Sequence, residues 1–278
     1  MIIGIVGLGL MGASYAARLK EKGLTVYGFA RRKETLDQAL EKQIIDKGSL
    51  SLEDGLLHEC DIVVLALYPT LLKDWIQTNQ PYCKDNAILM DISGVKSNII
   101  APIEAILDPR LRFISTHPMC GRESKGMEHY DPSIFDGANY LVIPTQHSDP
   151  AAVEQAKQLG QWLGCKNIET LTVAQHDRMI GFLSQLTHLI AVSLMNTHEN
   201  EQFIKYTGDS FRDLTRIASI NEDMWTELFL LNKDILLDET NQFIDSVSHF
   251  RDALENEDEE EMKRLFIQST HRRNRFNQ

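Results

Sequence analysis

The 278-residue sequence predicts an α/β fold in which a parallel sheet is covered by helices on both faces, followed by a part made of helices alone. Three features carry this. Short apolar runs alternate with helix-length segments up to about residue 172, a glycine cluster stands where the first run ends, and strand character vanishes beyond Ala174.

Taken in order, residues 2–6 form a short apolar strand that meets Gly7. Ala13, Tyr15, Ala16 and Leu19 then keep helical spacing up to a stop at Gly23. Residues 26–29 read as the next strand and 61–67 (DIVVLAL) as a fully buried one, and 87–92 and 113–116 repeat the theme. Residues 140–143 and 168–171 close the sheet around a helix near 150–163. The boundary is placed at 172/173, giving domains 1–172 and 173–278. Beyond it run long amphipathic helices, interrupted by a turn-rich stretch at 205–210. The acidic run 255–261 is expected to be a solvated helix face and the basic tail 271–278 to be frayed.

Composition narrows the function classes. A formal net charge of −12 argues against a nucleic-acid binder, yet leaves room for a local cationic pocket. Cys60, Cys83, Cys120 and Cys165 show no CxxC spacing, which speaks against a zinc site or redox dithiol and for reduced thiols. With no run of 18 apolar residues and no leader pattern, a cytoplasmic enzyme with no membrane or nucleic-acid partner and no metal is expected.

Gly7-Leu8-Gly9-Leu10-Met11-Gly12 is GxGxxG between a first strand and a first helix, the context that makes it a dinucleotide-binding signal. The first glycine makes the turn, the second lets backbone approach the pyrophosphate, and the third lets helix and strand pack closely. Where the second strand ends, an NAD site normally offers Asp or Glu to the ribose hydroxyls. Here the chain reads Gly28-Phe29-Ala30-Arg31-Arg32-Lys33. With no carboxylate and three cations, Arg31 and Arg32 favour the 2′-phosphate of NADP over NAD. Tyr68 and Pro69, after the buried strand, should line the nicotinamide side of the cofactor.

Three later segments offer substrate chemistry. His117, in Thr116-His117-Pro118-Met119-Cys120-Gly121-Arg122-Glu123, follows a strand and is either a base at the ligand-binding edge or a structural histidine. Gly181, Ser184 and His188 share one helix face, either a pocket wall or a packing seam. In Ser210-Phe211-Arg212-Asp213-Leu214-Thr215-Arg216-Ile217-Ala218, two arginines four apart either clamp a carboxylate or pair on the surface with Asp213.

Together, HPMCGRE, SQLTH and FRDLTRIA behind GLGLMG resemble the prephenate/arogenate dehydrogenase family, as do Asn221-Glu222-Asp223-Met224-Trp225 and Asn232. The resemblance spans essentially the whole chain. It implies a Rossmann-type dinucleotide-binding domain, an all-helical dimerisation domain and an active site in the cleft between them. The implied activity is oxidative decarboxylation of prephenate, or of arogenate, in tyrosine biosynthesis. It assigns His117 to the proton of the ring hydroxyl, Arg216 to the ring carboxylate, His188 and Ser184 to the substrate side, and Glu123 to gating the cleft. Two positions depart from the pattern. Gly94 stands where many members carry a serine that touches the substrate hydroxyl, leaving Ser93 as a stand-in, and Gln185 replaces a frequent histidine. His188 favours prephenate, whereas Asp209, if it reaches the side chain, favours the amine of arogenate. Neither a mutase domain before residue 1 nor a regulatory domain after 278 is expected. A β-hydroxyacid dehydrogenase would need a lysine early in the helical part, where none precedes Lys205. A dinucleotide sensor without turnover would not need His117, His188 and Arg216 together.

Overall fold

The computed structural model describes residues 1–121, 124–199 and 201–277. Its strands are β1 (Ile2–Val6), β2 (Thr25–Phe29), β3 (Lys47–Ser49), β4 (Ile62–Leu65), β5 (Ile88–Asp91), β6 (Arg112–Pro118), β7 (Asn139–Pro144) and β8 (Asn167–Thr170), in one sheet of order β3-β2-β1-β4-β5-β6-β7-β8. Between them run α1 (Leu10–Glu21), α2 (Lys33–Glu41), α3 (Leu56–Glu59), α4 (Pro69–Asn79), α5 (Ser97–Glu104) and α6 (Pro150–Leu163). The continuously apolar strands split by the two-residue period of a pleated chain. Ile3, Ile5, Val64, Met90 and Val142 join α1 and α6 in one core, while Val63, Leu65, Leu89, Phe113 and Leu141 join α4 and α5 in the other. Each fully buried Leu or Ile contributes about 1.5–3 kcal/mol.

The pairing is parallel except between β6 and β7, where His117 stands opposite Leu141 in an antiparallel register. The cause lies in the connection. Short 3₁₀ turns at Met127–His129 and Pro132–Phe135 replace a crossover helix, so the chain re-enters the sheet reversed. The strand β3 escapes sequence reading because Lys-Gly-Ser has no apolar pattern. The sixth strand continues past Thr116, so His117 and Pro118 belong to it.

By compactness the chain divides into Met1–Asn232 and Lys233–Gln278. The first unit runs beyond the expected 172/173 point. It includes α7 (Val173–Ile180), a π-helical stretch (Gly181–Leu186), α8 (Thr187–Met195), α9 (Asp209–Thr215) and α10 (Glu222–Leu231). From Val173 to Met195 the helix is long and apolar enough to cross a membrane, with a hydropathy of 1.3, although no single run shows it; only 28% of that window is buried.

The second unit is a helical hairpin of α11 (Lys233–Glu255) and α12 (Glu259–Asn274). Phe250 and Phe266 meet in it at 5.6 Å, and the imidazole of His249 lies 3.0 Å from the Glu261 carboxylate. The acidic run is exposed and forms the first turn of α12, where Asp258 caps the Glu261 amide. The basic tail is helical through Asn274 rather than frayed, because His271, Arg272 and Arg273 complement the carbonyl end of the helix dipole.

The glycine turn gives the first test. A Cβ on Gly12 would lie 1.8 Å from the Gly7 carbonyl oxygen, whereas one on Gly9 meets nothing within 4 Å. Gly12→Ala should therefore cost on the order of 1–3 kcal/mol or more in urea unfolding. Gly9→Ala should keep near-normal stability while losing dinucleotide affinity. Equal stability loss in both variants would refute this reading of the turn.

Candidate active site

The parallel strands β1, β4, β5 and β6 all end on one edge of the sheet. The order reverses between β1 and its neighbours β2 and β4, and such a switch point is where open α/β sheets bind ligands. At the end of β1 the chain turns at Gly7, whose φ of +90° suits glycine and whose amide donates to the Phe29 carbonyl at 2.9 Å. Gly9 is the N-cap of α1, has no side chain to cap with, and no acid occupies the first turn. The amides at this helix start are left for an anion, and the open space at Gly9 fits a dinucleotide pyrophosphate. Leu8 and Leu10 turn their side chains into the core, so only their backbone can serve a ligand; Met11 is half-buried. Arg31 and Arg32 are exposed just past β2, where the Ala30 amide donates to the Ser49 carbonyl, while Lys33 is taken up by Asp37 at 2.5 Å.

Below the edge lies a fully buried ionic cluster. The Lys96 ammonium donates to Asp91 Oδ2 at 2.8 Å, to the Thr116 carbonyl at 2.8 Å and, more weakly, to Ser93 Oγ at 3.3 Å. Asp91 also accepts from the Ser93 amide at 3.0 Å and from the Ser115 hydroxyl. Burial pulls the Lys96 ammonium below the usual lysine range, and Asp91 pulls it back up. The Ser93 hydroxyl donates within this cluster, to Asp91 or to the Val95 carbonyl. In this structure the hydroxyl of Ser93 serves the support. Beside it, a Cβ on Gly94 would make ordinary contact with His117 Cε1 at 3.9 Å and Leu228 at 3.5 Å, so this position adjoins His117.

His117 stands on that support. Its Nδ1 lies 2.9 Å from His176 Nε2, and His176 Nδ1 lies 2.7 Å from Asp177 Oδ1. The Asp177 carboxylate also accepts from the Lys96 and Ser97 amides at 2.9 and 2.6 Å. The protonation pattern follows from the carboxylate outward. Asp177 can only accept, so His176 carries its proton on Nδ1 and accepts at Nε2. His117 then carries its proton on Nδ1, which leaves Nε2 as the basic nitrogen. Burial first, then the neighbouring His176 and Lys96, hold His117 well below the ordinary histidine range. Burial also lowers His176, against the pull of Asp177. For Asp177, burial would raise the carboxyl, but the bonds from His176 and Ser97 outweigh it and keep it ionised.

His176 and Asp177 were not singled out in the sequence. A signal exists nonetheless. Thr172 and Gln175 form a capping box that starts α7 and turns the next two residues inward. Beyond them, the π-helical stretch shifts the expected face. Gln185 is buried, donating to the Leu228 carbonyl at 2.9 Å and accepting from Asn232 at 2.7 Å, while Ser184 and His188 are half-buried. His188 donates from Nδ1 to the Ser184 carbonyl at 2.8 Å and stacks on Trp225 at 3.7 Å.

Arg216, itself exposed, opens a half-buried 3₁₀ turn, Arg216–Ala218, packed against α8. Arg212 lies 3.9 Å from Asp209, whose carboxylate is 95% exposed. Glu123 lies outside the described residues.

Comparison with known proteins places this geometry. Residues 15–169 match the family described as "Prephenate dehydrogenase, nucleotide-binding domain", and residues 172–268 match "Prephenate dehydrogenase, dimerization domain". A prephenate dehydrogenase of Bacillus subtilis is 28% identical over 269 residues, covering 94% of this chain and 72% of its own length. The crystal structure of prephenate dehydrogenase from A. aeolicus with hydroxyphenyl propionate and NAD+ superposes with a TM-score of 0.90 at 27% identity, covering 99% of this chain and 98% of that one. Synechocystis arogenate dehydrogenase gives 0.84 at 26% identity, covering 99% of this chain and 100% of that one.

The lowered histidines set a pH dependence. A group with a depressed folded pKa contributes stability above its unfolded pKa, about 6.5 for histidine, and loses it as pH falls toward the folded value. The free energy of unfolding should fall between pH 7 and 5, by up to about 1.4 kcal/mol per pH unit for each histidine still neutral in the fold, and the melting temperature with it. His117→Asn should flatten that slope. Parallel slopes for wild type and variant would show that His117 is not held neutral.

Proposed function

The chain belongs to the prephenate dehydrogenase family, and from that premise we propose that it oxidatively decarboxylates prephenate with NADP+ as the preferred acceptor. The observation that carries the reading is the His117–His176–Asp177 chain at the ligand-binding edge. When bound at the Gly7–Gly12 turn, the nicotinamide dinucleotide supplies the hydride acceptor. His117 Nε2, unprotonated and fixed in direction, takes the ring hydroxyl proton as the C–H bond is lost. Arg216 holds the ring carboxylate until the C–C bond breaks; carbon dioxide leaves and its electron pair completes the aromatic ring. His117 needs only modest basicity, because the hydroxyl acidifies as hydride departs. Glu123 keeps its proposed gating role.

The preference for NADP rests on Arg31 and Arg32, both exposed past the end of β2, with no carboxylate from Gly28 to Lys33. A second reading, arogenate as substrate, has one observation in its favour: the likeness to Synechocystis arogenate dehydrogenase along nearly the whole chain. Asp209 lends it no support, being exposed beside Arg212. Prephenate is the first choice because the imidazole of His188 is the donor proposed for the side chain of the keto acid.

The same premise supports a homodimer. In the first unit Phe182, Leu183, Met195 and Leu214 are exposed, and in the second Leu237, Ile244, Val247 and Leu254 are. The apolar surface left open on helices 173–195 would be covered by a second copy rather than by lipid. Light scattering should give twice the chain mass of 31.7 kDa without detergent. A monomer at micromolar concentration would exclude this assembly.

The enzyme reading is tested by initial rates of both substrates with both cofactors. Prephenate with NADP+ should have the highest kcat/KM. His117→Asn should lower kcat by about 10²–10⁴ with substrate binding kept. Arg31→Ala should cost NADP+ about 1.5–3 kcal/mol and leave NAD+ nearly untouched. A wild type that prefers NAD+ tenfold would sink the cofactor assignment, and near-normal turnover in His117→Asn would move the base elsewhere.

A further inference from the structure

The helix α10 lies between the two halves of the proposed chemistry. On one side, Trp225 stacks on His188, the substrate wall. Glu227 is two residues further on, about 200° around the helix, and so faces the opposite way. Its carboxylate accepts from the Thr70 amide at 2.5 Å, in the first turn of α4, next to Tyr68 and Pro69. Asn221, which caps α10 by accepting from the Met224 amide, also reaches the Tyr68 hydroxyl at 3.4 Å.

The start of α4 needs this carboxylate. Its N-cap is Tyr68, which makes no side-chain cap, and no acid stands in its first turn. Pro69 has no amide hydrogen, which leaves Thr70 as an early donor at the positive end of an 11-residue helix. Glu227 meets both the donor and the dipole from across the fold.

We infer that Glu227 is a positioning residue that couples the cofactor edge at Tyr68–Thr70 to the substrate wall at Trp225 and His188. The inference rests on the dinucleotide and prephenate reading above. A dinucleotide that settles the edge after β4 also settles Thr70, and through Glu227 it fixes α10 and the ring stacked on His188. Binding at one place thereby favours binding at the other, with no contact between the ligands required. Glu227 acts in this proposal through Thr70 and α10, not on either ligand.

The test is calorimetric titration of the intact protein with 4-hydroxyphenylpyruvate, with and without saturating NADP+. The wild type should bind the keto acid at least about fivefold more tightly when NADP+ is present. In Glu227→Ala that ratio should fall to about one, while NADP+ affinity measured alone changes less than about threefold. Glu227→Gln keeps the acceptor for Thr70 and should restore part of the ratio, which a general loss of folding would not allow. A wild-type ratio of one, or an unchanged ratio in Glu227→Ala, overturns the inference. Absence of prephenate turnover in the wild type overturns the functional reading instead, and the inference with it.

Discussion

The buried ammonium of Lys96 is the interaction on which the site depends. It stands at 0% exposure with Asp91, also at 0%, and an ammonium has three protons to place. Asp91, Ser93 and the Thr116 carbonyl receive them. The cluster joins the ends of β5 and β6 to the turn that enters α5, so it sets the height of His117 at the edge. Its charge lies beneath two imidazoles and helps to keep both neutral. Such a pair is a poor source of net stability, because desolvation consumes most of its attraction. Removing one partner, however, costs about 3–5 kcal/mol. The cluster is thus rigid without needing to be strongly stabilising.

A second regularity follows from the same edge. The helices α4 and α5 begin where ligands are expected, and neither caps itself: their N-caps are Tyr68 and Lys96, without side-chain bonds to their own amides. Both are capped from the helical segment, α4 by Glu227 and α5 by Asp177. An anion at a helix start contributes about 0.3–1 kcal/mol through the dipole, and up to about 2 when partly buried. With Asn98 donating to the Leu231 carbonyl at 2.6 Å, these bonds explain why the first compact unit continues to Asn232 instead of ending with the last strand.

The fold was legible to the extent that it is local. Gly7 to Gly12, the apolar strands and the loss of strand character after residue 172 need only neighbouring residues to be read. The antiparallel return of β7 was not legible, because a missing helix leaves a weaker trace than a present one. In the site, His117 could be singled out by its place at a strand end. The capping box at Thr172 marks where His176 and Asp177 turn inward, but nothing local pairs His176 with His117, 59 residues away in sequence, or Glu227 with the amide it caps, 157 residues away. Ser93 shows the opposite failure. It has the right residue type in the right motif, but its hydroxyl is bonded into the buried cluster. The π-helical stretch similarly defeats a face drawn with 3.6 residues per turn, turning Gln185 inward beside Ser184.

Asp177 brings these strands of reasoning to one atom group. Its carboxylate caps α5 through two amides and, through His176, dictates which nitrogen of His117 is basic. An alanine in its place would lose the cap and also release the constraint on His176, whose Nδ1 could then turn from donor to acceptor. His117 Nδ1 would face a proton on His176 Nε2, and its own proton would move to Nε2, the position that must be empty for proton transfer. Orientation and tautomer are therefore fixed by a group that the fold already requires at the start of α5. The base is kept ready by the architecture of the edge, and its low proton affinity follows from that burial. For an alcohol that acidifies as its hydride departs, a weak base in a fixed direction is better matched than a strong one that would be protonated before the substrate arrives.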